Sequence, residues 1–362
     1  MLGGPVTATV ARVIAAPGAA PSPLEVQVPE PVGNQVLVRI HAVGVCHTDL
    51  TLAAQWPEQG LPVILGHEGA GVVEALGPDA QGLAVGDRVS LTFDSCGACE
   101  FCAVGTPGYC EQSITRNYLG LPGIRSGETA VTGGFFGQSS FAGLALATDR
   151  NTVRIGDLPF ELAAPLGCSV QTGVGTVTRA LQVRPGQSVV VFGTGAVGLA
   201  AIMGAKLAGA TTIVAVDPRE DRRALALELG ATHAVEAGPQ AAQQTIEATD
   251  GGAHAAVDTT ARADVLGQAV LALRPRGTLA VVGLGAPSAE LPVMLIMARG
   301  LRVIGVIEGD SEPSEFLPDL AAAAAEGRLP VDRLVTVFTD FDEAWAAARE
   351  GTAVKPVWLP AG

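Results

Sequence analysis

The chain has 362 residues, 48% of them hydrophobic and only 4% aromatic, and a formal net charge of −14. That length predicts about two domains with a substantial core and excludes a disordered chain. The acidity excludes a globally basic nucleic-acid footprint, and an anionic membrane surface would repel the protein.

The N-terminal stretch "MLGGPVTATVARVIAAPGAA" has no basic segment leading into a solid apolar run. No secretory signal is expected, and the expected home is the cytoplasm. Over 1–162, short alternating runs predict a mostly-β first domain. Val36, Val38 and Ile40 of "VLVRIHAVGVC" share one strand face, and "GAGVVEALG" and "VGDRVSLTF" repeat the pattern between glycine-containing turns. Over 163–305 strands alternate with helices. "QSVVVFG", "TTIVAVD", "AHAAVDTT" and "GTLAVVGLG" read as strands; "AVGLAAIMGAKLAG", "REDRRALALELG" and "ADVLGQAVLAL" read as helices. This predicts an α/β domain, a doubly wound parallel sheet with helices on both faces, to which "LRVIGVIEG" adds a strand. The most apolar window, "SVVVFGTGAVGLAAIMGAKLAGA", is broken by glycines and reads as strand, turn and helix rather than a membrane span. Over 306–362, "FLPDLAAAAAEG" and "FDEAWAAAREG" are helical, and the strand "TAVKPVWL" is expected to close back onto the first domain.

Four of the six cysteines, Cys96, Cys99, Cys102 and Cys110, fall in "CGACEFCAVGTPGYC". Two-residue spacings let thiolates converge, and a fourth completes a tetrahedron with no open position, so a structural zinc is expected. A [4Fe–4S] cluster takes the same donors, but its bacterial run has an earlier fourth cysteine followed by proline. Disulfides are the remaining alternative, disfavoured in a reducing compartment. Elsewhere "GVCHTDL", "LGHEGAG" and "PLGCSVQTGVG" supply Cys46, His67 and Cys168. Each alone reads as an ordinary buried cysteine or loop histidine. Together they offer two thiolates and an imidazole, three ligands with a place left free, as a catalytic zinc needs.

"VVVFGTGAVGLAA" holds Gly193, Gly195 and Gly198 as G-x-G-x-x-G between a predicted strand and helix. In that setting Gly193 permits the tight turn, Gly195 the approach of a pyrophosphate to the helix N-terminus, and Gly198 close packing of helix on strand. Asp217, ending the next strand, suits ribose hydroxyls and repels a 2′-phosphate, which favours NAD over NADP. Arg219, Arg222 and Arg223 follow. Arg222 is read as a coenzyme contact and Arg223 as part of a solvated helix face.

These motifs, in this order and over essentially the whole chain, resemble the zinc-dependent medium-chain alcohol dehydrogenases. The resemblance implies a GroES-like catalytic domain joined to a Rossmann domain, two zinc ions per subunit, and NAD. It implies Cys46, His67 and Cys168 as catalytic-zinc ligands, with Glu68 behind the metal and Asp49 orienting His67. Thr48 would take the proton from the alcohol, and His47 and Lys355 would contact the coenzyme. Thr172 and Val197 would back the nicotinamide, with Val282 and Leu284, ending their strand, on the carboxamide side. Many relatives carry histidine where this chain has Thr51, which cannot serve as a base near neutral pH. "FFGQSSFA" and "VIEGDSEP" resemble the aryl, or benzyl, alcohol dehydrogenase branch, implying primary aromatic or allylic alcohols and their aldehydes as substrates. Phe93 and Trp56 are candidate pocket residues, with packing the competing role. The alternatives are a thiol-adduct formaldehyde dehydrogenase, an enzyme that keeps its coenzyme and uses an external acceptor, and a non-catalytic nucleotide binder. A homodimer or homotetramer is expected, with no nucleic-acid or membrane partner.

Overall fold

The computed structural model describes residues 6–120 and 123–360; Met1 to Pro5 of the stretch read for a secretory signal lie outside them. The chain forms two units, 1–168 with 312–362, and 169–311. Among the described residues no helix is long and apolar enough to cross a membrane.

The first unit opens with β1 (Val6–Ile14), β2 (Ser22–Pro29), β3 (Gln35–Gly44), β4 (Val63–Ile64), β5 (Gly69–Leu76), β6 (Arg88–Leu91), β7 (Arg125–Ser126), β8 (Thr129–Ala130), β9 (Leu144–Thr148) and β10 (Thr152–Arg154). β3 is central. It pairs antiparallel with β5 and β9, and Val36, Leu37, Val38 and Ile40 are all buried. Both faces of the strand are therefore covered, where alternation alone predicts one. Phe135, Phe141, Phe341, Trp56, Trp345 and Trp358 supply bulk to a core otherwise built from Ala, Val, Leu and Ile. Arg12 lies over the rings of Phe341 and Trp358 at 5.0 and 5.7 Å from the ring centres.

The second unit holds β11 (Ser188–Phe192), β12 (Thr212–Asp217), β13 (His233–Glu236), β14 (Ala253–Asp258), β15 (Leu273–Val281) and β16 (Arg302–Gly305). All pairings are parallel, in the order β13-β12-β11-β14-β15-β16. This is the doubly wound order, with the switch point beside β11, where a dinucleotide binds at the carboxyl ends of the strands. β13 and the helix Ala241–Ala248 add one βα unit that the sequence reading lacked. The tail completes the first unit: β17 (Val335–Phe338) pairs with β18 (Lys355–Trp358), and β18 pairs with β3.

Candidate metal and coenzyme sites

The metal site is organised around Asp49. Cys46 caps the helix His47–Gln55, which brings Asp49 back onto the Cys46 backbone. Asp49 Oδ2 accepts from the Cys46 amide at 2.9 Å, and Oδ1 accepts from the Gly66 amide at 3.1 Å. Oδ1 also lies 2.9 Å from His67 Nδ1. Gly66 adopts φ +89°, and a Cβ there would lie 2.5 Å from the Phe141 amide nitrogen, so glycine is required. With Nδ1 committed to Asp49, His67 Nε2 is buried and has no hydrogen-bond partner. A donor atom from each of Cys46, His67, Glu68 and Cys168 lies within 4.8 Å of the others, and all four residues are buried. An orphaned imidazole nitrogen among two thiols is a donor set suited to zinc.

The electrostatics agree with that use. The Cys168 thiol beside Cys46 holds the Cys46 thiol well below its ordinary pKa, toward the thiolate a metal takes. Burial pushes the Glu68 carboxyl upward. Lys355, 2% exposed, donates Nζ to Glu68 Oε1 at 2.8 Å, from 287 positions away in the chain. Burial disfavours the ammonium, but Glu68 together with the Cys46 and Cys168 sulfurs outweighs it and raises the Lys355 pKa. Gly44 makes room for this pair, since a Cβ there would lie 2.1 Å from Glu68 Oε2.

Gln138 braces the other side. Its Nε2 donates to the carbonyls of His67 at 2.9 Å and Thr92 at 3.0 Å, and its Oε1 accepts from the Gly69 amide at 3.1 Å. Two rings flank His67: Phe136 at 4.6 Å and Phe135, edge-on, at 5.5 Å. Trp56 stacks edge-on against Phe135 and belongs to the core. Phe93 is also buried.

The four clustered cysteines converge as well, with sulfurs within 4.8 Å of one another and no disulfide. The Cys96–Cys102 and Cys99–Cys102 sulfurs are 3.9 and 3.5 Å apart. A tetrahedron with metal–sulfur bonds of about 2.3 Å has edges of about 3.8 Å, so the spacing fits zinc. Amides of Ala98 and Cys99 point at Cys96 Sγ and draw its pKa down to about 6, whereas burial pushes Cys102 up to about 12.

In the second unit, Gly193 turns at φ +86° and its amide donates to the Val216 carbonyl at 2.8 Å. A Cβ on Gly198 would lie 1.8 Å from the Gly193 carbonyl oxygen, while one on Gly195 would meet nothing within 4 Å. Asp217 Oδ2 accepts from the Thr194 amide at 2.8 Å, and Oδ1 accepts from the Arg219 amide at 2.9 Å. Arg219 pairs with Asp221, and Arg222 is buried. Arg223 is half-buried and donates to the carbonyls of Asp217 and Pro218. Thr172 is buried and Val197 half-buried. β15 ends at Val281, so Val282 and Leu284 follow the strand rather than end it; Leu284 is 55% exposed. In the first unit His47 is exposed and Thr48 half-buried on the first turn of their helix. Sequence reasoning missed Gln138 and the Lys355–Glu68 pair. A lysine inside the apolar strand "KPVW" was the available signal, because a buried ammonium demands a partner.

Residues 33–157 match the alcohol dehydrogenase GroES-like domain, and residues 196–325 match the zinc-binding dehydrogenase domain. Geraniol dehydrogenase of Castellaniella defragrans is 42% identical over 97% of this chain and 96% of its own. The chain belongs to the zinc-dependent alcohol dehydrogenases. Its two cysteine-rich groups are the family's two zinc sites, a catalytic one at Cys46, His67, Glu68 and Cys168 and a structural one at the four clustered cysteines. Two solved structures share the fold of this alcohol dehydrogenase. A zinc-binding-domain alcohol dehydrogenase from Burkholderia ambifaria is 43% identical, with a TM-score of 0.95 over 99% of this chain and 100% of its own. Benzyl alcohol dehydrogenase from Acinetobacter calcoaceticus is 39% identical, with a TM-score of 0.93 over 98% of this chain and 100% of its own.

Proposed function

We propose that this alcohol dehydrogenase oxidises primary alcohols with an aromatic or allylic carbinol, reversibly, to aldehydes, with NAD as the hydride acceptor. The observation that carries the reading is the buried donor set of Cys46, His67 and Cys168 around an orphaned His67 Nε2. A zinc ion held there supplies the Lewis acidity that lowers the pKa of an alcohol hydroxyl, and NAD supplies the electron sink. The chain's own residues do the rest. Asp49 fixes the His67 tautomer and ring direction. Lys355 holds Glu68 behind the donors, and in this reading its ammonium serves Glu68 rather than the coenzyme. Thr48 would receive the hydroxyl proton and pass it outward; with threonine at position 51, His47 or water would carry it onward. The substrate preference is supported by the half-buried Phe136 ring beside His67, which suits a flat apolar group, and by the relatives' geraniol and benzyl alcohol. NAD is supported by Asp217, whose carboxylate stands at the glycine loop and would repel a 2′-phosphate. Reduced cysteines suit a cytoplasmic setting.

We also propose a homo-oligomer built on β16. It is one of the two edge strands of the parallel sheet, and Val293, Met294, Met297, Val303 and Ile307, on it or close to it in the chain, are exposed. Monomers rarely leave such an edge and apolar patch uncovered.

Steady-state kinetics on benzyl alcohol, geraniol, ethanol and formaldehyde with a thiol, using NAD and NADP, test the reading. Turnover of the first two with NAD is expected, and Cys46→Ser is expected to lose bound zinc and at least ~100-fold in kcat/KM. Retained zinc and full turnover in that variant would overturn the assignment.

A further inference from the structure

Beyond the carboxyl end of β16 the chain makes a turn that its residue types resist. Glu308, Gly309 and Asp310 adopt φ of 50°, 68° and 51°, so two non-glycine residues stand in the left-handed region. Such backbone is costly and persists where the surroundings enforce it, often at functional sites. Here the enforcement is visible. The turn is pressed onto the helix Ser169–Gly175: a Cβ on Gly309 would lie 2.4 Å from the Gln171 carbonyl oxygen, and one on Gly175 would lie 2.6 Å from that of Gly309. Ser311 Oγ ties the turn down by donating to the Glu308 carbonyl at 2.7 Å.

The consequence is a carboxylate in a guarded place. Glu308 is 8% exposed, and its Oε2 accepts from Gln171 Nε2 at 2.9 Å and from Thr172 Oγ1 at 3.2 Å. It follows β16 as Gly193 follows β11 and Val282 follows β15, and Asp217 ends β12. All stand at the sheet edge where a parallel fold binds its ligand. A glutamine would fill the same volume and still accept the Thr172 hydrogen bond; the acid differs from it in charge.

We propose that Glu308 is a positioning residue that holds the Thr172 hydroxyl and sets a fixed negative charge beside the nicotinamide. It rests on the reading above in which Thr172 backs that ring. The oxidised ring carries a positive charge and the reduced ring none, so a preorganised carboxylate in a poorly solvated setting favours NAD⁺ over NADH. The charge thus stabilises the oxidised coenzyme on the enzyme and makes the reduced one the readier hydride donor, and no neutral residue at this position reproduces that preference.

The test is the dissociation constant of NAD⁺ and of NADH for the zinc-loaded enzyme, by equilibrium dialysis, in the parent and three variants. Glu308→Gln removes the charge at nearly constant shape. Glu308→Asn does so with a side chain that tolerates left-handed backbone, which guards against misfolding of the first. Glu308→Asp keeps the charge. The neutral variants are expected to weaken NAD⁺ about fivefold or more while NADH changes less than about twofold, and Glu308→Asp to keep the parent ratio. Equal weakening of both coenzymes, or an unchanged ratio, overturns the assignment of Glu308. A parent enzyme that binds neither coenzyme overturns the NAD reading instead.

Discussion

Gly195 caps the helix Ala196–Leu207 and Gly198 stands in its first turn, and the two answer to different constraints. At Gly198 the constraint is internal, because an added methyl would collide with the Gly193 carbonyl oxygen at 1.8 Å. At Gly195 the φ of −73° suits any residue and the space is open. What glycine leaves clear there is the approach of a pyrophosphate. Gly198→Ala is therefore expected to destabilise the fold by about 1–3 kcal/mol in urea unfolding. Gly195→Ala is expected to keep the parent stability and lose about tenfold or more in NAD affinity. The fingerprint and the roles expected of its glycines are legible in the letters; the contact distances are not. Conversely, Lys355 and Glu68 are both visible as letters. Their pairing is invisible until β18 is laid against β3, since no local pattern links residues 287 positions apart.

At the scale of elements, the four-cysteine lobe shows what a metal does for a segment with little core. Its helix Glu100–Ala103 has 4 residues and the turn Pro107–Tyr109 has 3, lengths far too short to persist alone. Cysteine spacing made this lobe readable without any periodicity. Cys99→Ser is expected to lose one zinc per chain by metal analysis and to abolish amide-exchange protection across 96–112, while β11 to β16 keep theirs. Elements with strong apolar runs, such as β11 and the helix Ala196–Leu207, were equally legible. β13 was not: only Val235 of its four residues is buried, so its pattern resembles a loop until β12 pairs with it. The end of β15 was misjudged because "VVGLG" is apolar beyond the last ladder residue. Val282 and Gly283 instead turn their amides onto the Asp258 carbonyl.

For the molecule as a whole, the surface carries two messages. A charge of −14 favours hydration and repels anionic partners. Against that background Met294 and Met297, just before β16 in the chain, are exposed to 74% and 67%. Met294→Glu with Met297→Glu is expected to lower the mass seen by light scattering to that of one chain, with the melting temperature of the zinc-loaded protein falling as the edge is uncovered. An unchanged oligomer would place the interface elsewhere.

The amino-acid sequence by itself determined the family, the two zinc donor sets and the alternation that makes the parallel sheet. Each depends on residue types at short spacings or on local periodicity, which a single strand or loop displays. Only the tertiary structure decided the contacts around the donors and the coenzyme loop: Gln138 bracing His67, Lys355 neutralising Glu68, and Glu308 lodged against Thr172. These are contacts between distant segments that burial makes compulsory. A buried polar group must find a partner, and which partner it finds is set by the packing of the whole chain.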